Sequence, residues 1–361
     1  MSPSLYEPIY LLLVTLLTIG CMIQYASYST SRVRLTHTVS PSVGSIMLTL
    51  FVAVFVGFRP ISGVFVDMIN YNMFYQYTFG NLFNFDWDAK NLLFDNLINW
   101  MSSECLPVQF FFFTIAVIYF GGIYVACRKL FPNDSLFAIL IYLAAFSTFS
   151  YGTNGIKAGA AASLFLVAIA YRRQWAVAIP CLLLSYGFHH SMHLPIAAYV
   201  AAMLVRRPKY YLAFWLLCFV LAAAHITFFQ ELFAGMTDEQ GAGYLQTSGT
   251  DWGGKVGFRL DFVLYSAAPV VVGYYAIFRR HIQSGLYNFI YNIYLLINGV
   301  WMLCMYANFT NRIAYLSWFM LPIVLIYPFL REQIGGNQYK TLNYIAFGHL
   351  AFTLFMAIIY Y

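Results

Sequence analysis

Long apolar runs recur along the chain, near 8–27, 42–57, 107–127, 135–152, 156–171, 174–190, 193–205, 210–230, 260–278, 286–307, 313–330 and 341–360, separated mostly by short polar junctions. The clearest reach the ~20 residues an α-helix needs to cross hydrocarbon. The runs within 135–171 and 174–205 are shorter and predict tilted spans or re-entrant hairpins. The pattern predicts an all-α polytopic membrane protein of about 12 transmembrane or re-entrant helices, read as one integral membrane domain over residues 1–361. Two connections are long. The one at 58–106 holds Asp67, Asp86, Asp88, Asp95 and Glu104 among aromatics and asparagines, and the one at 231–258 is rich in glycine. Apolar stretches in the first, such as Gly63–Phe79, predict amphipathic helices on the outer face rather than disorder.

Composition agrees with this reading. The chain is 61% hydrophobic and 9% charged, with a mean hydropathy of +0.70, whereas soluble domains carry about 25% charged residues. Its six cysteines form no CxxC pair and lie mostly inside apolar runs, as small hydrophobes do. The net charge of +6 is spread over short junctions, with no basic run of the kind that binds nucleic acid. Met1 to Pro8 lacks lysine and arginine, so the first run reads as a membrane helix rather than a cleaved leader.

Charge sets the orientation. Alternate junctions hold 13 basic residues (Arg32, Arg34, Arg128, Lys129, Arg172, Arg173, Arg206, Arg207, Lys209, Arg279, Arg280, Arg331, Lys340) against the two acids Asp134 and Glu332. The other junctions hold Arg59, Lys90, Lys157, Lys255, Arg259 and Arg312 against 11 acids. The positive-inside rule then puts both termini, both long connections and the histidine cluster at 189–193 outside the cytoplasm. Whether a short hairpin spans or only dips, Lys157 and these histidines sit at its outer end. Short or broken helices at membrane depth are tolerated where they line protein or water, as substrate sites do.

Five constellations carry candidate chemistry. In Phe58-Arg59-Pro60, followed by Gly63, Asp67 and Tyr71, the arginine fork suits a phosphate. Asp67 and Tyr71, four apart, share a helix face and offer a base or a sugar ligand. A snorkelling arginine and a solvated aspartate are the plainer alternative. In Thr153-Asn154-Gly155-Ile156-Lys157-Ala158-Gly159, a lysine near a helix start adds charge to backbone N–H groups and suggests a pyrophosphate seat; a packing helix with an outward lysine is the alternative. His189-His190-Ser191-Met192-His193 puts His189 and His193 one helical turn apart, which is zinc-ligand spacing, but no acid or cysteine stands nearby in sequence. These histidines are candidates for acid–base work, substrate hydrogen bonding or a structural role. Arg312, opening a membrane helix, is a candidate anion contact. Arg259 with Asp261 is either a similar contact or a surface ion pair. Finally, Asp251 and Trp252 in a glycine-rich loop could accept hydroxyls and stack on a sugar, or form a simple turn. No Walker loop, dinucleotide fingerprint, HExxH or GxSxG is present, so a substrate activated beforehand and met on the outer side is expected.

At these residues the sequence resembles the EpsG family of bacterial polysaccharide polymerases, a branch of the Wzy-type (O-antigen, capsule, exopolysaccharide) polymerases. Phe58, Arg59, Gly63, Asp67 and Tyr71 match an early Phe-Arg followed by Gly, Asp and Tyr. Asn154-Gly155-Ile156-Lys157-Ala158 looks like the family's Asn-Gly-Ile-Arg-Gln. Phe188-His189-His190-Ser191 resembles its Phe-His-x-Ser, and Arg312 with Tyr315 its late arginine and tyrosine. The chain departs in the three residues between Gly63 and Asp67, in Lys157 for arginine, and in Ala158 for glutamine. Lysine keeps the charge but loses the planar fork.

The resemblance implies a membrane glycosyltransferase of GT-C-like architecture, needing no metal and no cofactor. It would join undecaprenyl-diphosphate-linked oligosaccharides at the periplasmic face of the inner membrane, alongside a flippase and a chain-length regulator. Arg59, Lys157 and Arg312, with Arg259, Asn154, Tyr71, Asp251 and Trp252, would then bind the diphosphate and sugars. His189 or Asp67 would act as base, ahead of His190 and His193. A transporter or flippase of lipid-linked sugars would predict inverted repeats, of which none is visible. A membrane acyltransferase would want polar chemistry on the cytoplasmic side, where none is found.

Overall fold

A computed structural model describes residues 1–27, 43–230, 257–307, 310–335 and 337–360. Asp251, Trp252 and most of the connection at 231–258 lie outside the described residues. Among the described residues the chain is helical throughout, with no strand. Six helices are long and apolar enough to cross a membrane: Pro3–Ala26, Val108–Leu130, Leu260–Arg279, Gly285–Leu303, Thr310–Arg331 and Gln338–Ile359. This is a multi-pass membrane protein; among the described residues six helices, or seven with one bent pair, meet the length and apolarity of a full span, against the dozen runs. The runs at 42–57, 156–171, 174–190 and 210–230 become helices of 15, 15, 14 and 16 residues. The first three fill their runs almost end to end, so the runs themselves fall short of a full span; in 210–230 the helix stops early, at Ala223. Asn154-Gly155 precedes one and Arg172-Arg173 follows it; Pro208 starts another, and the backbone turns at His225, with φ 58°, soon after it ends.

The chain divides into two compact units. The first comprises residues 1–193, 329–331 and 335–361; the second comprises 194–328 and 332–334.

In the first unit, α1 (Tyr6–Ser27), α2 (Val43–Gly57), α3 (Met68–Thr78), α4 (Leu92–Ser103), α5 (Val108–Leu130), α6 (Ser135–Leu143), α7 (Phe146–Thr153), α8 (Ile156–Ala170) and α9 (Trp175–Phe188) follow in order. The expected helices of the 58–106 connection are α3 and α4, and α4 turns Phe94, Ile98 and Met101 inward as one stripe. Small residues let α5 and α8 approach closely. A Cβ on Gly122 would stand 2.6 Å from Ser163 Oγ, and that hydroxyl donates to Ile118 O at 3.1 Å. Ser185 Oγ ties α9 to α8 through Ala161 O at 2.7 Å.

α6 and α7 form an apolar pair bent by 75°, a broken span or a re-entrant loop. A break at membrane depth frees carbonyls that water cannot reach. Side chains take them up: His349 Nε2 at Ile141 O (3.1 Å), Thr148 Oγ1 at Tyr142 O (2.6 Å), Tyr10 OH at Leu143 O (2.7 Å) and Thr353 Oγ1 at Ala144 O (2.7 Å). His349 and Thr353 come from the C-terminal helix Gln338–Phe355.

The second unit contains α10 (His193–Leu204) after its first residue, α11 (Pro208–Ala223), α12 (Leu260–Tyr274), α13 (Gly285–Leu303), α14 (Thr310–Trp318) and α15 (Leu321–Arg331) up to Pro328; α16 is the C-terminal helix of the first unit. A dry polar knot joins four of its helices. Fully buried Asn298 accepts from Trp215 Nε1 at 2.8 Å and donates to Ser266 Oγ and Ser317 Oγ at 3.1 and 3.0 Å. Trp318 Nε1 donates to Ser266 Oγ at 2.7 Å. Such side-chain bonds hold membrane helices together where apolar contact alone cannot.

Candidate functional site

Helix ends gather at one end of the first unit. The tail of α2, the starts of α3, α4 and α8, and the end of α9 meet there, whereas the ends of α5 and α8, with Lys129 Nζ 4.9 Å from the Tyr171 ring centroid, lie at the other. Three motifs far apart in sequence therefore become neighbours.

The segment after α2 is fastened to the α7–α8 junction by two bonds. Arg59 is 1% exposed, with its guanidinium donating to Val56 O at 2.8 Å and Thr153 O at 2.7 Å. Phe65 and Phe112 flank it, their ring centroids at 5.2 and 5.1 Å. Burial pulls its pKa down to about 9, so it stays charged at neutral pH. The Asp67 backbone N–H then donates to Asn154 Oδ1 at 3.1 Å. Just before it, Val66 sits at φ 38°, a strained conformation for a β-branched residue. Arg59 thus points into protein, and Asn154 holds the amide of Asp67. The Asp67 carboxylate, half-buried at the start of α3, makes no capping bond to that helix.

Lys157, in the first turn of α8, is half-buried. Its ammonium stands 5.7 Å from the Tyr71 ring centroid and 5.3 Å from that of Phe94, an aromatic corner built by α3 and α4. Gly159 lets α8 start this close to α7, since a Cβ there would meet Tyr151 O at 2.7 Å. Lys90 lies close enough to feel the Lys157 charge: partial burial and then Lys157 lower its pKa, against an opposing pull from Asp95. Asn96 anchors the loop that leads to this lysine. It clasps the preceding loop by accepting from Asp86 N and donating to Asp86 O, both at 2.8 Å.

α9 ends at His189, whose backbone is extended (φ −152°, ψ 120°). A single 3₁₀ turn, His190–Met192, follows before His193 opens α10. The helical-turn spacing of His189 and His193 is therefore lost, because the helix breaks between them. The His189 and His190 rings instead stack at 4.9 Å. His189 Nδ1 accepts from Ser191 N at 3.1 Å and stands 2.6 Å from Ser191 Oγ. His190 uses both its backbone N–H (3.2 Å) and its ring Nδ1 (3.1 Å) on Asn91 Oδ1. His193 Nδ1 bonds His190 O at 2.9 Å. Burial, then Lys90, His193 and Lys157, push the pKa of His190 down to about 4, with Asp95 pulling the other way.

Sequence reasoning counted Lys90 and Asp95 only as outer-side charges and missed Asn91. The Asn91–Asp95 spacing at a helix start was the one local signal; the partner His190 lies 99 residues on.

In the second unit, Arg259 fills its fork with Asp261, Nε to Oδ1 at 3.0 Å and NH2 to Oδ2 at 2.7 Å, and its guanidinium lies 3.6 Å from the Phe262 ring centroid. Arg312 is exposed in the first turn of α14. Beside it, Thr310 Oγ1 accepts from Trp301 Nε1 at 3.0 Å and donates to Cys304 O at 3.1 Å. Among the described residues no three His, Cys, Asp or Glu side chains group as metal ligands.

Comparison with known families decides what these motifs belong to: the EpsG family model matches residues 44–361, nearly the whole chain and every motif above. The chain belongs to the EpsG family. No curated protein and no solved structure matches it. Membership of the EpsG family, with the apolar helices, makes this a membrane protein of polysaccharide synthesis.

Proposed function

We propose that this EpsG-family chain is a repeat-unit polymerase, a glycosyltransferase that joins oligosaccharides carried on undecaprenyl diphosphate. The reading sets the Lys157 end of the first unit at the periplasmic face of the inner membrane, with both termini on that side and a GT-C-like arrangement of helices. One observation carries it: Lys157, Lys90 and His190, from three separate segments, lie within electrostatic reach of one another.

The two lysines repel across a neutral imidazole and Asp95 opposes them only in part, so an arriving anion is favoured there. A departing lipid diphosphate supplies that anion, and cations placed where charge develops stabilise the transition state. Tyr71 and Phe94 hold the Lys157 ammonium in place, and the start of α8 adds its N–H groups. Arg312, in the second unit, is an anion contact of its own in this reading. Asp67 and the histidines stand as the acid–base groups for the acceptor hydroxyl. Arg59 and Asn154 serve by holding the Asp67 segment against the start of α8.

The test is polymer length on a gel, from purified protein given lipid-linked repeat units. Wild type should yield a ladder, and Lys157→Ala and Arg312→Ala should shorten or abolish it at normal protein levels. Full-length polymer from both variants contradicts the diphosphate role.

A further inference from the structure

Two adjacent histidines sit at this end, and their surroundings give them different protons. Asp95 Oδ2 can only accept, and it takes the Asn91 backbone N–H at 3.0 Å with Asn91 Nδ2 at 3.5 Å. The Asn91 amide therefore turns its oxygen the other way, where the His190 backbone N–H also requires an acceptor. Asn91 is 4% exposed, so this orientation is enforced by protein rather than averaged by water. An amide oxygen only accepts. The ring nitrogen beside it, Nδ1, must carry the proton, and Nε2 of neutral His190 holds the lone pair. His189 is opposite. Its Nδ1 accepts from the Ser191 N–H, so the proton of its neutral ring is on Nε2.

We infer that His190 is the catalytic base of the proposed transfer, that Asn91 and Asp95 are its positioning residues, and that His189 acts as a hydrogen-bond donor to substrate. This rests on the polymerase reading. The acceptor hydroxyl oxygen attacks the anomeric carbon of the donor sugar. Its proton passes to His190 Nε2, and the bond from that carbon to the diphosphate oxygen breaks, with the electron pair leaving on the lipid diphosphate. His190 then sheds the proton to water. Lys90, Lys157 and His193 keep the ring deprotonated before the step, Asp95 opposes them, and the arriving diphosphate offsets their charge as the proton is taken. A base held far below neutrality is ready at pH 7, and bound anion raises its basicity when it is needed.

The test uses the full-length protein in nanodiscs, labelled with ¹⁵N-histidine, and two readouts. Imidazole ¹⁵N shifts, assigned by loss of signals in His189→Gln and His190→Gln, should show a protonated Nδ1 on His190 and a protonated Nε2 on His189. Ladder formation from lipid-linked repeat units should fall at least ~100-fold in His190→Gln, whereas His189→Gln, whose amide keeps a donor near the Nε2 position, should fall by less and chiefly through a higher KM for the lipid-linked unit. Asn91→Leu should lose about tenfold or more and let the other His190 tautomer appear. Asn91→Asp should restore the acceptor and the activity. Lys90→Met should move the acid limb of the pH profile up from near 4, which loss of folding alone would not do.

A proton on Nε2 of His190, or an active His190→Gln, overturns the inference. The tautomers are read without turnover, so the failures separate. These tautomers with no ladder sink the polymerase reading and the base role with it. A ladder with reversed tautomers sinks this inference alone.

Discussion

Arg59 and Lys157 sit in neighbouring parts of the first unit, and each comes from a motif that marks the EpsG family, yet they are used differently. The arginine is sealed, with two carbonyls and two rings closing its fork. The lysine is half-buried against two rings and shares its surroundings with Lys90 and His190, with Asp95 opposing the lysines' effect. A cation clasped by two backbone carbonyls fastens the fold, whereas one held against ring faces beside a second lysine is placed to meet an anion. The second unit repeats the first case: Arg259 is neutralised by Asp261.

The comparison can be broken by mutation. Arg59→Ala should be the most damaging to the protein itself, because it strands two carbonyls and opens a cavity. A loss of about 3–5 kcal/mol is expected, seen as a lower Tm and yield, with polymer falling only as folded protein falls. Lys157→Ala should behave the other way, with Tm nearly unchanged and polymer formation down roughly 100-fold. Asn298→Ala removes three bonds from the dry knot of the second unit and should cost about 1–3 kcal/mol in thermal unfolding, with activity per folded molecule retained. Asp261→Asn frees the Arg259 fork and should change stability by less than about 1 kcal/mol. A larger effect would mean that Arg259 is more than a local pair.

The helical membrane class, the helices of the 58–106 connection and the three motifs that meet in the first unit were legible from pattern and charge. The number of full spans was not, because hydropathy does not tell a short span from a re-entrant hairpin, does not see the turn at His225, and cannot tell that the apolar stretch over 135–153 bends. Nor could the roles of the cations be read. Arg59 and Lys157 look equally like phosphate ligands until Thr153 O and the Tyr71 ring are seen beside them. His189 stood ahead of His190 as base because the motif names it first, and it takes Asn91, far away in sequence, to assign the His190 proton, while Ser191 assigns that of His189. The zinc spacing of His189 and His193 failed because it assumed a helix that ends at His189.

The central claim is that Lys157 and its neighbours hold a lipid diphosphate. The direct measurement is calorimetric titration of farnesyl diphosphate, a short lipid diphosphate, into purified protein in nanodiscs, comparing wild type with Lys157→Ala and Arg259→Ala. The account predicts saturable binding that weakens by about tenfold or more in Lys157→Ala and stays within about twofold of wild type in Arg259→Ala. Equal affinity in wild type and Lys157→Ala, with both proteins folded, would contradict it.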